Sequence, residues 1–461
     1  MVFSSIIFLY FFLPCMLIIY YISPNKTKNI VLLISGLFFY AWGEPVYVFL
    51  MLLTTLVDYT AGGIIDRFDS SKKIRTLALI SSLIINLGIL FTFKYSSFFA
   101  GIFGIELKKL PLPVGISFYT FQSISYTIDM YMRKIKVQKN FINYAAYVTL
   151  FPQIVAGPIV RYEDVQNEIN SRKVNIYLLG EGAGIFIKGL AKKVLLANNI
   201  GLLWTEIKGM DYSEISVLTA WLGILAFTFQ IYYDFSGYSD MAVGLGKMLG
   251  FNFPENFRHP YISRSISEFW RRWHITLGSW FRSYVYIPLG GNRKGKYKTL
   301  RNLLIVWGLT GLWHGASWNF ILWGLYFGTI LVIEKRFFLK FFEKHKIIGN
   351  MVTNILVVIG FVFFYNEKNI LDIFIKMFTG RGISFTNVST NYYLLNYLVL
   401  LIISFIACTP LLKNIINKCK KNKNLNIVIS IVEPIVLIGL LVLSTAFIVD
   451  ASSNSFLYFR F

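Results

Sequence analysis

The feature that most constrains this chain is the recurrence of apolar runs long enough to cross a lipid bilayer. Residues 3–22, 46–65, 77–93, 393–412 and 426–449 each read as one such run, and a hydrocarbon core of roughly 30 Å takes about 17–25 residues of helix. Backbone groups at that depth have no water to bond to, so helix is the default for every run. The chain is 56% hydrophobic and 15% charged, where soluble domains carry about 25% charge. The sequence therefore predicts an all-α polytopic membrane protein. Its 461 residues form a single integral membrane domain, with N-terminal helices over 1–110, a core over 111–332 and C-terminal helices over 333–461.

The formal net charge is +22. A nucleic-acid binder would gather its cations on one folded face. Here they fall in short clusters between apolar runs, which is the positive-inside pattern of cytoplasmic loops, so the partner they imply is a lipid bilayer and not nucleic acid. Lys26 and Lys28, then Arg67, Lys72, Lys73 and Arg75, mark the first two such loops, with the runs 29–42 and 46–65 between them; 334–346 and 413–424 mark two more. Spans at 351–365 and 393–412 separate the last pair, and 426–449 follows them. This count places both termini outside the cytoplasm. The first run has no basic residue before it and no small-residue cleavage site after it, so it reads as a retained helix and not a signal peptide. Cys15, Cys408 and Cys419 show neither disulfide nor metal-ligand spacing.

The middle of the chain is less regular. The stretches 113–131, 142–158, 182–204 and 216–246 are apolar yet carry polar residues, and "LFPQIVAGPIVRY" holds two prolines that break a spanning helix. Broken backbone survives at membrane depth only where protein or a water-filled cavity satisfies the freed groups. Residues 251–302 are too polar for a span and too aromatic for an ordinary loop, which predicts short interfacial helices. "SISEFWRRWHITLGSWF" reads as one helix, with Ser265 or Ser267 as its N-cap and Glu268 in its first turn. Phe269, Trp270, Trp273, Leu277 and Trp280 form one face, and Arg271 and His274, three apart, share the neighbouring one.

The basic tract 293–301 and the pair Lys335 and Arg336 both read as cytoplasmic, so residues 302–332 enter the membrane and return. They are too few for two spans of about 20 residues each. The weak helix formers of "HGASW" supply the break. At about 1.5 Å per residue, His314 lies on the order of 20 Å from the entry point, near the tip of a re-entrant hairpin. An ionisable residue at that depth is a functional-site candidate. The bland alternative is a histidine bonded to a carbonyl freed by the break. Trp307, Trp313, Trp318 and Trp323 read as hairpin packing, and Gly311 with Gly315 as a close helix contact.

A neutral imidazole can take a proton from a hydroxyl and later return one, which suits transfer of an acyl group from a thioester to an alcohol. No G-x-S-x-G elbow is present, and no Cys, His and carboxylate cluster stands at metal-ligand spacing. "YDFSGYSD" places Asp234, Ser236, Tyr238 and Asp240 in an apolar stretch. Buried carboxylates need partners, and Arg264, Arg271, Arg272 and Arg282 are the nearest candidates in the text. A bracing ion-pair network and direct substrate contact both remain open.

"FWRRWHITLGSWFRSYVYIPLGGNRKG" followed by "RNLLIVWGLTGLWHGASWNFILWGLYFG" resembles the membrane-bound O-acyltransferase (MBOAT) superfamily, in particular its bacterial alginate and peptidoglycan O-acetyltransferase branch. "LPVGISFYTFQSISYTIDMY", "FPQIVAGPIVRY" and "YYDFSGYSDMAVGLGKMLGFNFPENF" are similar to the same branch in the same order, so the likeness covers about 110–330. It implies helices around a transmembrane tunnel, a cytoplasmic acyl thioester donor such as acetyl-CoA, and an acceptor met from outside. That acceptor is an exported polysaccharide or an extracytoplasmic acetyltransferase partner. It implies a plasma-membrane location, His314 as catalytic histidine, His274 as the branch's second histidine, and Trp313 and the "YDFSGYSD" polar residues near the tunnel with Arg271 and Arg272. His259 and His345 match nothing catalytic. The departure is at "FVFFYNE", where Tyr365 and Asn366 stand in place of an arginine. D-alanyl transfer to teichoic acid, fed by an acyl carrier protein, is the neighbouring chemistry. A transporter of acyl groups or small anions is the non-enzymatic alternative, and a catalytically idle scaffold a third.

Overall fold

The computed structural model describes residues 1–364, 370–379 and 384–450, and every regular element among them is helical. The described chain groups into two compact units. One joins Met1–Phe186 to Tyr238–Glu255, and the other joins Ile187–Gly237 to Asn256–Phe461.

The first unit holds α1 (Phe8–Ile22), α2 (Lys28–Ala41), α3 (Val48–Arg67), α4 (Lys72–Ile102), α5 (Ile116–Tyr131), α6 (Phe141–Val148) and α7 (Tyr162–Asn170). Helix α1 starts five residues later than the apolar run suggests, because Phe3 turns inward to pack on Phe8 and Phe39 at ring-centroid distances of 5.0 and 5.6 Å. Helix α4 is longer than the predicted 77–93. Ser71 caps its start by accepting from the Ile74 amide, and a π-helical turn over Phe91–Tyr95 carries it on. The double-proline tract breaks the chain as expected: α6 stops at Val148, one short turn spans Phe151–Ile154, and helix resumes at Tyr162. A buried carboxylate ties three helices together. Asp58 Oδ1 on α3 accepts from Ser82 Oγ (2.5 Å) and Asn86 Nδ2 (2.9 Å) on α4 and from Thr127 Oγ1 (3.2 Å) on α5.

Two helices, α8 (Ile176–Ala191) and α9 (Val217–Met248), carry the chain from the residues of one unit into those of the other. The second unit then holds α10 (Ile266–Trp270), α11 (Ile275–Phe281), α12 (Lys296–His314), α13 (Trp318–Ile333), α14 (Lys346–Phe364), α15 (Val388–Ala407), α16 (Leu411–Cys419) and α17 (Lys423–Asp450). Among the described residues, five helices are long and apolar enough to cross a bilayer: α3, α4, α14, α15 and α17. This is an all-α membrane protein. Helix α15 starts earlier than the predicted 393 because Asn387 and Thr390 form a reciprocal cap, with the Thr390 amide donating to Asn387 Oδ1 at 2.9 Å. Tyr365 and Asn366 lie outside the described residues.

Candidate functional site

The hairpin forms as the charge count predicts, between α12 and α13, with its break at Gly315–Ser317. Helix α12 starts inside the basic tract, at Lys296, so the lysines and arginines that read as loop form its first turns. The glycines set the separation of the two helices. A β-carbon on Gly311 would strike the Phe320 carbonyl oxygen, one on Gly324 the Trp307 carbonyl oxygen, and one on Gly315 the Phe320 ring. The G-x-x-x-G pattern is a close helix contact.

His314 is the last residue of α12 and is only 6% exposed. Its ring meets Trp313, Trp323 and Phe364 edge to face, at centroid distances of 5.1, 5.0 and 5.1 Å. The edge-to-face arrangement suits aromatic quadrupoles and holds the imidazole in one orientation. Beyond the break, Ser317 Oγ bonds Asn319 Oδ1 (2.5 Å), and Asn319 Nδ2 donates to the Phe363 carbonyl (3.2 Å), anchoring the tip to α14.

The segment that reads as one continuous helix is two. Ser265 is the N-cap, accepting from the Glu268 amide at 3.0 Å, but α10 ends at Trp270 and α11 begins at Ile275. His274, the residue between, adopts left-handed backbone with φ 44° and ψ 53°, a conformation uncommon outside glycine that asparagine, aspartate and histidine enter more readily than other residues. The cause is Asn256. Its backbone carbonyl accepts from the Ile275 amide (3.0 Å), and its side-chain oxygen meets the Thr276 amide (3.3 Å), Thr276 Oγ1 (2.9 Å) and His274 Nδ1 (3.1 Å). These bonds outweigh the local helix preference, so Arg271 and His274 do not share a helical face. Arg271 is exposed, while Arg272 pairs with Glu268 at 2.8 Å.

His274 is 3% exposed, and its Nε2 has no hydrogen-bond partner among the described residues. It lies outside the five spanning helices, and burial lowers its imidazole to about 3, so it is neutral across the physiological range. Phe235 stands edge-on to its ring at 4.6 Å, and Trp313 lies at 5.9 Å. Trp313 thus touches both histidines, and the two motifs, 40 residues apart in the numbering, converge on one apolar enclosure.

The "YDFSGYSD" residues separate. Asp234 pairs with Lys193 at 2.6 Å, both side chains 3% exposed. The partner seen for it is thus Lys193 and not one of Arg264, Arg271, Arg272 and Arg282, the candidates nearer in the text, of which Arg272 is held by Glu268. Helix α9 turns Asp234 toward the π-helical Lys192–Asn198 segment, which carries Lys193. Ser236 is 1% exposed, with its Oγ unpartnered. Tyr238 and Asp240 belong to the first unit, where Tyr238 stacks on Phe3 at 4.5 Å. His259 bonds the Cys408 carbonyl through Nδ1 at 3.2 Å, and His345 sits at the end of a short helix against Phe341.

Three residues in this region carry no signal in the text. Asn256 looks like a loop residue, and Lys193 looks like topology charge. Glu334 looks like part of a basic loop, yet it is 3% exposed and accepts from the Ile266 (2.5 Å) and Ser267 (3.0 Å) amides at the start of α10. Among the described residues, no three His, Cys, Asp or Glu side chains gather as a metal site.

Comparison with known proteins gives a match to the model of the MBOAT, membrane-bound O-acyltransferase family, over residues 131–366. A probable alginate O-acetylase of Pseudomonas syringae pv. tomato is 42% identical over 381 residues, covering 80% of this chain and 73% of its own. A peptidoglycan O-acetyltransferase of Helicobacter pylori is 34% identical over 434 residues, covering 84% and 82%. A teichoic acid D-alanyltransferase of Streptococcus thermophilus is 31% identical over 247 residues, covering 49% and 58%.

Proposed function

The chain belongs to the membrane-bound O-acyltransferase family and is an acyltransferase, and we propose that it transfers acetyl from a cytoplasmic thioester, acetyl-CoA or a relative of it, for O-acetylation of an exported polysaccharide. An alginate-like polymer and peptidoglycan are the acceptor classes, reached directly or through an extracytoplasmic acetyltransferase partner. The membrane is the plasma membrane, both termini face outward, and donor and acceptor meet in a tunnel. The observation that carries the site is Trp313, whose indole touches the rings of both His274 and His314.

In the proposed reaction the acceptor hydroxyl oxygen attacks the thioester carbonyl carbon and the carbon–sulfur bond breaks. His314 takes the hydroxyl proton as the oxygen–carbon bond forms, then returns it to the leaving sulfur, so ester and thiol are the products. The aromatic enclosure excludes water that would otherwise hydrolyse the thioester. His274 supports acceptor placement. The buried Lys193–Asp234 pair braces α9, and Arg271, exposed, offers positive charge to a phosphorylated donor. Trp313, Ser236, Tyr238, Asp240 and Arg272 take supporting places along the path. D-alanyl transfer draws on a relative that matches about half of this chain, and the acetyl reading draws on relatives that match at least 80% of it.

The test is chemical analysis of cell-surface polymers from cells with and without the protein. Ester-linked acetate that disappears with the protein supports the reading. Unchanged acetate together with lost ester-linked D-alanine would replace it by the neighbouring chemistry.

A further inference from the structure

We propose that Asn256 is a positioning residue that locks His274 as the Nδ1–H tautomer, so that Nε2 is the open, hydrogen-bond-accepting nitrogen of the site. The proposal rests on the reading of this site as an acyl-transfer centre.

The lock follows from a chain of donors. A backbone amide can only donate, and the Thr276 amide points at the terminal side-chain atom of Asn256 at 3.3 Å. That atom is therefore the amide oxygen and not the nitrogen, and the Thr276 hydroxyl donates to the same oxygen at 2.9 Å. His274 Nδ1 lies 3.1 Å from it. An amide oxygen has no hydrogen to give, so the hydrogen between them sits on Nδ1. A neutral imidazole carries only one such hydrogen, which leaves Nε2 with its lone pair.

Among the described residues, no group uses that lone pair. His274 is 3% exposed and Nε2 has no partner, whereas buried polar atoms are paired in the great majority of cases. Phe235, Phe257 and Trp313 pack around the ring, with Phe257 nearly parallel to it at 6.4 Å. The backbone agrees with the side chain: His274 is in left-handed conformation, and the amides of the two residues after it, Ile275 and Thr276, both donate to Asn256. The unusual torsion turns Nδ1 toward Asn256 and leaves the opposite nitrogen facing the enclosure. In that place Nε2 accepts a hydrogen bond from a second hydroxyl of the polyhydroxylated acceptor and so holds the attacking oxygen in line, while His314 takes the attacking hydroxyl's own proton. Asn256 acts only through His274 and touches no reacting atom.

Two measurements test this on the full-length protein in detergent. The first is nitrogen-15 NMR of protein labelled at its four histidines, with the His274 signals identified by their loss in His274→Gln. The expected spectrum shows protonated Nδ1 and unprotonated Nε2, unchanged between about pH 5 and 8. A protonated Nε2, or an averaged mixture of tautomers, overturns the proposal. The second compares variants. Asn256→Asp keeps an acceptor and should keep both the tautomer and surface acetylation within about threefold. Asn256→Leu removes the acceptor, and a histidine in the wrong tautomer loses much of its catalytic effect, so acetylation should fall about tenfold or more with a mixed tautomer. Wild-type tautomer and acetylation in Asn256→Leu overturn the proposal. If that variant does not fold, the wild-type and Asn256→Asp spectra decide. Failure of the acetyl-transfer reading would look different: wild-type cells would carry no protein-dependent acetate, and the NMR result would stand unaltered.

Discussion

Two buried polar sites in the second unit are built on opposite principles. Lys193 and Asp234 face each other at 2.6 Å, both 3% exposed, and Lys193 Nζ also bonds Asn198 Oδ1 at 2.8 Å. That site is closed, because each charge is answered by the other. His274 is as deeply buried, but only one of its ring nitrogens is answered. Closing a polar site favours one packing of the chain; leaving one atom open adds little to stability and makes sense where a ligand completes the set. Equal burial, then, does not mean equal role, and the two sites should respond to substitution in different currencies: one in folding, the other in turnover.

The largest effect expected is on activity at the hairpin tip. His314→Gln should lower acetyl transfer by about 10²–10⁴, the range of a positioned acid–base group, while the amount of protein in the membrane is unchanged. An equal fall in membrane level would turn His314 into a packing residue and erase the contrast.

The next effect is on folding at the closed site. Lys193→Met strands a buried carboxylate and should cost about 3–5 kcal/mol, read as a lower thermal midpoint in detergent. Lys193→Met with Asp234→Leu removes both charges and should recover most of it. If the single variant melts like wild type, the pair is not closed in the sense meant here.

A smaller effect is expected where the hairpin helices touch. Gly311→Ala puts a methyl against the Phe320 carbonyl, and overpacking of this kind typically costs about 1–3 kcal/mol. Thermal unfolding and acetyl transfer should fall together, because the same contact sets the position of His314. A drop in activity alone would mean that the glycine serves the site directly.

The smallest is Glu334→Gln. It keeps an oxygen for one of the Ile266 and Ser267 amides but turns an NH2 group toward the other and removes the charge from a buried cap. About 1 kcal/mol is expected, again from the thermal midpoint, with activity per folded molecule unchanged.

The difference between the two sites also explains what the sequence made legible. Spanning runs and the hairpin follow from local hydropathy and charge, so the hairpin over 302–332 is readable from the text with its break at Gly315, while the start of its first helix at Lys296, inside the basic tract, is not. His314 is readable because depth alone makes a histidine unusual. The break at His274 is not readable. Its neighbours are helix-compatible, and the residue that overrides them, Asn256, is 18 positions away. Asp234 shows that a partner is needed, but spacing cannot say that it is Lys193, 41 positions earlier, in place of a nearer arginine. Glu334 is hidden the same way, since its bonds cross 67 and 68 positions. Local pattern shows which groups require partners, and tertiary packing decides which groups supply them.

The most direct test of the central claim measures ester-linked acetate on surface polymers of cells that make wild-type protein or His314→Ala at matched membrane levels. Wild-type cells should carry protein-dependent acetate, and His314→Ala cells should fall to the level of cells lacking the protein. Full acetylation in the variant, with the protein folded and in the membrane, would contradict the account.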